Sequence, residues 1–65
     1  MENYEGMTVN ERLYHFGLMD EFDKCILERD QNAAIRVLVK VKFNIIQAKE
    51  TVGSILENPE FYGYK

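Results

Sequence analysis

The chain contains one cysteine and one histidine, Cys25 and His15, the two residue types that form the nucleophile and base of thiol enzymes. An imidazole activates a thiol only from hydrogen-bond distance. On one continuous helix their separation would be about 15 Å along the axis, at ~1.5 Å per residue. Only a bend at Gly17 could bring them closer. The spacing therefore favours Cys25 as a small core residue, and we predict no enzyme and no catalytic residue.

Metal and cofactor chemistry has little support in the composition. A single cysteine excludes an internal disulfide, and one cysteine with one histidine cannot complete a zinc site of the usual type. The sequence contains no EF-hand loop, Walker motif, GxGxxG or HExxH. We predict no metal, no cofactor and no small-molecule substrate.

Acidic residues gather in one short stretch, at Asp20, Glu21 and Asp23. Paired carboxylates act in catalysis when burial separates their pKa values. Here they follow a predicted helix start and lie next to Lys24, so we interpret them as a solvated face that complements the helix dipole. That face could also bind a basic partner.

Nucleic acid is not an expected partner. The net charge is −3, whereas nucleic-acid binding depends on clustered Lys and Arg. The one basic grouping consists of Arg36, Lys40, Lys42 and Lys49, which we place near a helix end.

The unpaired thiol suits a reducing compartment. The chain shows no secretory signal pattern, and no apolar run approaches the ~18 residues of a membrane span. We expect a cytoplasmic protein with no membrane partner.

Aromatic residues close the chain at Phe61, Tyr62 and Tyr64. Tyrosine-rich surfaces are typical of protein interfaces, but aromatic side chains can also enlarge a small core. We expect Phe61 to fold over the helices and leave both possibilities open for Tyr62 and Tyr64. All three, with Asp20, Glu21 and Asp23, form the predicted interaction surface.

Two helices are predicted before Asp30. Thr8 and Glu11 have the spacing of a capping box, which predicts a helix over residues 9–15. Gly17 predicts a bend at residues 16–17 and a second helix over residues 18–29. The alternative is one long helix that crosses Gly17.

The third segment is ambiguous. Asp30 can cap a helix that runs to residue 43, but residues 37–43 also alternate apolar and polar like a strand. A strand has no partner strand in this chain and would have to pair across a dimer. We therefore favour the helix.

A fourth helix is predicted over residues 45–57, capped by Asn44 and followed by Pro59, which disfavours the helical conformation at Asn58. Apolar residues recur at helical spacing throughout the chain. The predicted core consists of Val9, Leu13, Phe16, Leu18, Met19, Phe22, Cys25, Ile26, Ala34, Ile35, Leu38, Val41, Ile45, Ala48, Val52, Ile55 and Leu56.

These elements predict an all-α fold, a small orthogonal bundle of three to four helices. Residues 1–7 are expected to form a flexible tail, and residues 8–65 a single helical domain that ends in the aromatic tail. A chain of 65 residues has a thin core, so self-association is the remaining route to extra stability.

Three runs of the sequence are NERL at residues 10–13, GL-x-DEFD at residues 17–23 and ILxNPxxYGY at residues 55–64. Together they resemble a class of small bacterial helical proteins with no established activity. The resemblance covers nearly the whole chain. It implies a bacterial helical domain and supplies no site residue.

We predict a non-enzymatic protein-interaction module that binds itself, as a homodimer, or another protein. The alternative is a small acidic regulatory, inhibitor or immunity-type protein that binds a basic partner through its acidic first half, at Glu11, Asp20, Glu21 and Asp23.

Overall fold

The computed structural model describes residues 6–64, and within that range every regular element is a helix and there is no strand. The predicted all-α fold of a small helical bundle is therefore confirmed. The elements are α1 (Val9–Phe16), α2 (Met19–Leu27), α3 (Gln31–Lys40), α4 (Ile45–Glu57) and a closing 3-10 helix, η1 (Pro59–Tyr62). The predicted tail, residues 1–7, lies outside the described residues except for Gly6 and Met7, and Lys65 also lies outside them.

Side chains cap three of the four helices, as predicted. In α1 the Glu11 amide donates to Thr8 Oγ1 at 3.1 Å and the Thr8 amide donates to Glu11 Oε1 at 2.9 Å. These bonds to Thr8 hold the pKa of the Glu11 carboxyl below its ordinary value. Asp30 accepts from the Ala33 amide in α3, and Asn44 forms a second capping box in α4. Each cap satisfies amides that have no partner within the helix.

Gly17 separates α1 from α2, so the bend is confirmed and the single long helix is wrong. Its φ of 71° lies in the left-handed region, and the Leu18 amide donates to the Leu13 carbonyl at 2.9 Å. These features form a Schellman motif, which ends a helix and turns the chain. The boundaries differ slightly from the prediction, because Phe16 still belongs to α1 and α2 ends at Leu27.

The ambiguous segment, residues 37–43, is helical up to Lys40, so the strand alternative and its dimer are wrong. The predicted helix was three residues too long. Lys42 has a left-handed φ of 76°, and the Phe43 amide donates to the Leu38 carbonyl at 3.2 Å. A Schellman motif therefore also ends α3, and it leads directly to the Asn44 cap of α4.

The core lies where α3 packs against α4 and α2. Its buried apolar side chains are Leu13, Phe22, Ile26, Ala34, Ile35, Val37, Leu38, Val41, Ala48, Val52 and Ile55. Several predicted core residues are half-buried against this cluster, namely Val9, Phe16, Leu18, Met19, Cys25 and Leu56. The prediction for Ile45 is wrong, because it lies at the edge of the buried face of α4 and is 51% exposed.

Arg12 is buried, which no pattern in the sequence predicted. Its side chain is only 7% exposed. The guanidinium lies 4.1 Å from the centre of the Phe43 ring, and Nη1 donates to the Val41 carbonyl at 3.4 Å. A planar cation can stack on an aromatic ring and donate at its edge at the same time. Arg12 thereby joins α1 to the turn between α3 and α4.

Candidate interaction surface

Residues 59–64 form a compact turn after α4, which we call the aromatic turn. Pro59 opens η1, where its missing amide costs no helix hydrogen bond. Gly63 closes it with a φ of 88°, a left-handed conformation that suits glycine. The Tyr64 amide donates to the Pro59 carbonyl at 2.9 Å. The chain end is therefore folded back on itself.

Tyr64 fixes the aromatic turn to the rest of the molecule. Its hydroxyl donates to Asp23 Oδ1 at 2.7 Å, and its ring packs against the core cluster. Burial, and then the bond to Asp23, raise the pKa of the Tyr64 hydroxyl above its ordinary value. This bond links the predicted aromatic and acidic groups, residues 41 positions apart in the chain.

Phe61 and Tyr62 face outward from the same turn. Phe61 is 77% exposed, and its ring lies edge-on to Tyr62 with 5.2 Å between the ring centres. The expectation that Phe61 folds over the helices is wrong, because Tyr64 is the tail residue that packs against the core. Tyr62 is also exposed, at 46%.

Tyr62 lies between two shallow hollows. One, of about 270 Å³, is lined by Ser54, Glu57, Asn58, Phe61 and Tyr62. The other, of about 210 Å³, is lined by Thr8, Val9, Asn10, Phe22, Thr51, Ile55, Tyr62 and Tyr64. Both are smaller than the ~300 Å³ at which small-molecule pockets usually begin. Their size suits one side chain of a partner protein.

The acidic residues of α2 separate into two environments. Asp23 is half-buried and accepts the bond from Tyr64. Asp20 and Glu21 are exposed in the first turn, and Glu21 Oε2 lies 3.7 Å from Lys40 Nζ. Asp23 therefore has a structural contact, while Asp20 and Glu21 remain accessible to a partner.

The exposed side of α4 adds residues that the predicted surface did not include. Ile46 is 66% exposed near the start of α4, and Lys49 and Glu57 are exposed further along the helix. The sequence contained a signal for Ile46, because it lies off the stripe of Ala48, Val52 and Ile55. The remaining members of the basic grouping that includes Lys49 are also exposed, namely Arg36, Lys40 and Lys42.

The two residues considered for thiol chemistry lie on different helices. His15 is exposed on α1, with its ring edge-on to Phe16 at 5.2 Å between centres. Cys25 is half-buried on α2. Burial, followed by the charges of Asp30, Glu21 and Glu28, raises the pKa of the Cys25 thiol. These surroundings disfavour the thiolate that a nucleophile requires.

Among residues 6–64, no group of three or more His, Cys, Asp or Glu side chains could hold a metal ion. None of the helices in the same range combines the length and the apolar character needed to cross a membrane.

Comparisons of the chain with protein-family models, curated proteins and solved structures give no match. The resemblance carried by NERL, GL-x-DEFD and ILxNPxxYGY therefore stays a prediction.

Proposed function

We propose that this chain is a non-enzymatic protein-interaction module that binds a second copy of itself or another protein through the aromatic turn. The unpaired Cys25 favours the reducing cytoplasm as its place of action.

The observation that carries this proposal is the outward placement of Phe61 on a turn that is itself held in place. The Tyr64–Asp23 bond and the Gly63 turn restrain the backbone after Tyr62, and the η1 turn that begins at Pro59 restrains it before. A preorganised aromatic group loses little conformational entropy on binding. Exposed aromatic side chains of this kind commonly supply most of the binding energy of an interface.

The test removes the two outward rings and leaves the contacts of Tyr64 intact. The double variant Phe61→Ser/Tyr62→Ser should lose both self-association, measured by sedimentation velocity, and specific capture of proteins on the immobilised chain. The matched control is Tyr14→Ser, because Tyr14 is 82% exposed but lies on α1. Circular dichroism checks that both variants keep the helical fold.

Two results would contradict the proposal. One is a wild-type chain that neither self-associates nor captures any protein. The other is binding that the double variant retains in full.

The second candidate is a small acidic regulatory or inhibitor-type protein that binds a basic partner. It is supported by the exposure of Asp20 and Glu21 in the first turn of α2. The variant Asp20→Lys/Glu21→Lys should then abolish partner capture and leave the helical signal unchanged. Capture that is indifferent to this charge reversal rejects the second candidate.

A further inference from the structure

The hollow of about 270 Å³ at the end of α4 is lined by groups that suit a cation. Glu57 provides a carboxylate, and Phe61 and Tyr62 provide two rings that lie edge-on to each other at 5.2 Å between their centres. Ser54 and Asn58 add a hydroxyl and an amide oxygen. Aromatic faces and carboxylates both attract cations. An apolar side chain in this hollow would use the rings alone.

The charges around this hollow are mainly negative. Glu60 is exposed in η1, and Glu50 is exposed on α4, seven residues before Glu57 and therefore on the same side of the helix. Among residues 6–64, Glu57 has no ion-pair partner. The one cation of α4, Lys49, lies eight residues before Glu57, about 12 Å along the helix axis. A partner group of positive charge would complement this surface.

The end of α4 adds to this negative character. Pro59 has no amide, so the Ile55 carbonyl lacks the donor that a further turn of helix would supply. The last turn of α4 contains no basic residue to offset the helix dipole. Arg29 offsets it in part, because its Nη1 donates to the Leu56 carbonyl at 3.4 Å, but Arg29 does not line the hollow. The three carboxylates and the helix end therefore outnumber the two cations, Lys49 and Arg29.

An arginine stacked on a ring at a helix end already occurs within this chain. The Arg12 guanidinium lies 4.1 Å from the centre of the Phe43 ring and donates at 3.4 Å to the carbonyl of Val41, the residue that ends α3. The hollow at the end of α4 also has a phenyl ring, that of Phe61, and adds the carboxylate of Glu57. A planar guanidinium can stack on a ring while it donates from its edge, and a lysine ammonium cannot. The hollow is therefore better suited to arginine than to lysine.

We propose that the hollow lined by Glu57, Phe61 and Tyr62 binds an exposed arginine side chain of another protein. This inference rests on the proposed interaction function and names the chemistry of its partner. The guanidinium stacks on the exposed Phe61 ring and donates to the Glu57 carboxylate. The hollow is shallow, so a single arginine binds weakly, and the rest of the partner adds to the affinity.

A short arginine peptide tests the hollow directly. The probe is acetyl-Gly-Gly-Arg-Gly-Gly-amide, titrated to about 10 mM into the isotope-labelled chain at about 50 µM and followed by two-dimensional NMR. We expect amide shifts at Glu57, Phe61 and Tyr62, with none at Tyr14. The same peptide with citrulline, which keeps the shape of arginine without its charge, should bind at least about fivefold more weakly. The lysine peptide should bind roughly threefold more weakly.

Two variants identify the groups that hold the arginine. Glu57→Gln removes the charge with little change of shape and should raise the Kd for the arginine peptide roughly threefold or more. Phe61→Leu keeps an apolar side chain without the ring and should raise the Kd about two- to fivefold. Glu28→Gln makes the same charge change at the end of α2, so it is the matched control and should leave the Kd unchanged. Circular dichroism checks that all three variants keep the helical fold.

Three results would overturn this inference. The first is a wild-type chain that shows no shifts with the arginine peptide. The second is binding of the citrulline or lysine peptide that is as tight as that of the arginine peptide. The third is a Kd that both Glu57→Gln and Phe61→Leu leave unchanged. Each excludes an arginine in the hollow and leaves the interaction function in place, because that function is judged separately by protein capture with the Phe61→Ser/Tyr62→Ser variant.

Discussion

At the scale of single residues, the contact with the largest consequence is the hydrogen bond from the Tyr64 hydroxyl to Asp23. It joins the chain end to α2 with an oxygen–oxygen distance of 2.7 Å. A carboxylate acceptor makes such a bond stronger than a bond between neutral groups. It holds the aromatic turn in the conformation that leaves Phe61 and Tyr62 facing outward.

Removing the Tyr64 hydroxyl should destabilise the fold. We expect Tyr64→Phe to lower the free energy of unfolding by about 1 kcal/mol, because the half-buried Asp23 loses its donor. In a domain of this size that corresponds to roughly 4–8 °C in Tm. Thermal unfolding followed by circular dichroism measures the change. Tyr62→Phe is the control and should leave Tm unchanged, and an equal Tm for Tyr64→Phe would contradict this role.

The hydrogen bond from Tyr64 to Asp23 also predicts that the free energy of unfolding depends on pH. In the folded chain the pKa of Tyr64 lies above 10.0, its ordinary value and the one expected after unfolding. The folded state keeps the proton where the unfolded state loses it, so this contribution is complete below about pH 10 and declines as pH rises further. Urea unfolding of wild type and Tyr64→Phe, compared between pH 7 and about pH 11, should show a narrowing difference. A difference that stays constant would be inconsistent with the raised pKa.

Cys25 should react slowly in the folded chain. Burial and the nearby acidic charges raise the pKa of its thiol, so little thiolate exists at neutral pH. We expect alkylation by iodoacetamide at pH 7 to be at least about tenfold slower in the native protein than in urea. Equal rates in the two conditions would show that Cys25 is an accessible and reactive thiol.

At the scale of helices, residues in the left-handed region end α1, α2, α3 and η1. Gly17 and Gly63 adopt this conformation readily, whereas Arg29 and Lys42, with φ of 57° and 76°, carry a Cβ there. Arg29 also donates from Nη1 to the Leu56 carbonyl, so its side chain has a second contact. Lys42 is exposed and is the simpler position to change.

Lys42→Gly should stabilise the protein. Glycine removes the steric cost of the left-handed conformation at the end of α3, and we expect a gain of about 1 kcal/mol in the free energy of unfolding. Urea unfolding gives this value. Lys42→Ala is the matched control, because it removes the charge but keeps the Cβ and should show no such gain. A Lys42→Gly variant no more stable than Lys42→Ala would be evidence against backbone strain at this turn.

Most helix boundaries were predictable because they depend on neighbouring residues. Contacts between residues far apart in the chain were not predictable from the sequence. The caps at Thr8, Asp30 and Asn44 and the break at Gly17 depend on residues within a few positions of each other, and all four were predicted correctly. The end of α3 was not, because lysine in the left-handed conformation has no sequence signature.

The candidate site was less predictable than the helices, because it depends on contacts between residues far apart in the chain. The sequence marked the aromatic tail but could not decide which ring meets the core. That choice depends on Tyr64 reaching Asp23 across 41 positions of the chain. The burial of Arg12 likewise depends on the distant Phe43 ring.

At the scale of the whole molecule, a thin core coexists with exposed apolar side chains. The core is closed by α2, α3 and α4, yet Ile46 and Phe61 remain largely in solvent. A single core of this size usually provides only about 3–5 kcal/mol. Binding of the exposed residues by a partner would add to this stability through mass action.

The central claim is that the aromatic turn binds a second copy of this chain or another protein. Amide chemical shifts, recorded by two-dimensional NMR from about 50 µM to about 1 mM, test it most directly, because weak complexes become populated in this range. We predict concentration-dependent shifts at Phe61 and Tyr62, and none at Tyr14 on α1. Shifts that do not change with concentration, or that change mainly around Tyr14, would contradict the claim for self-association.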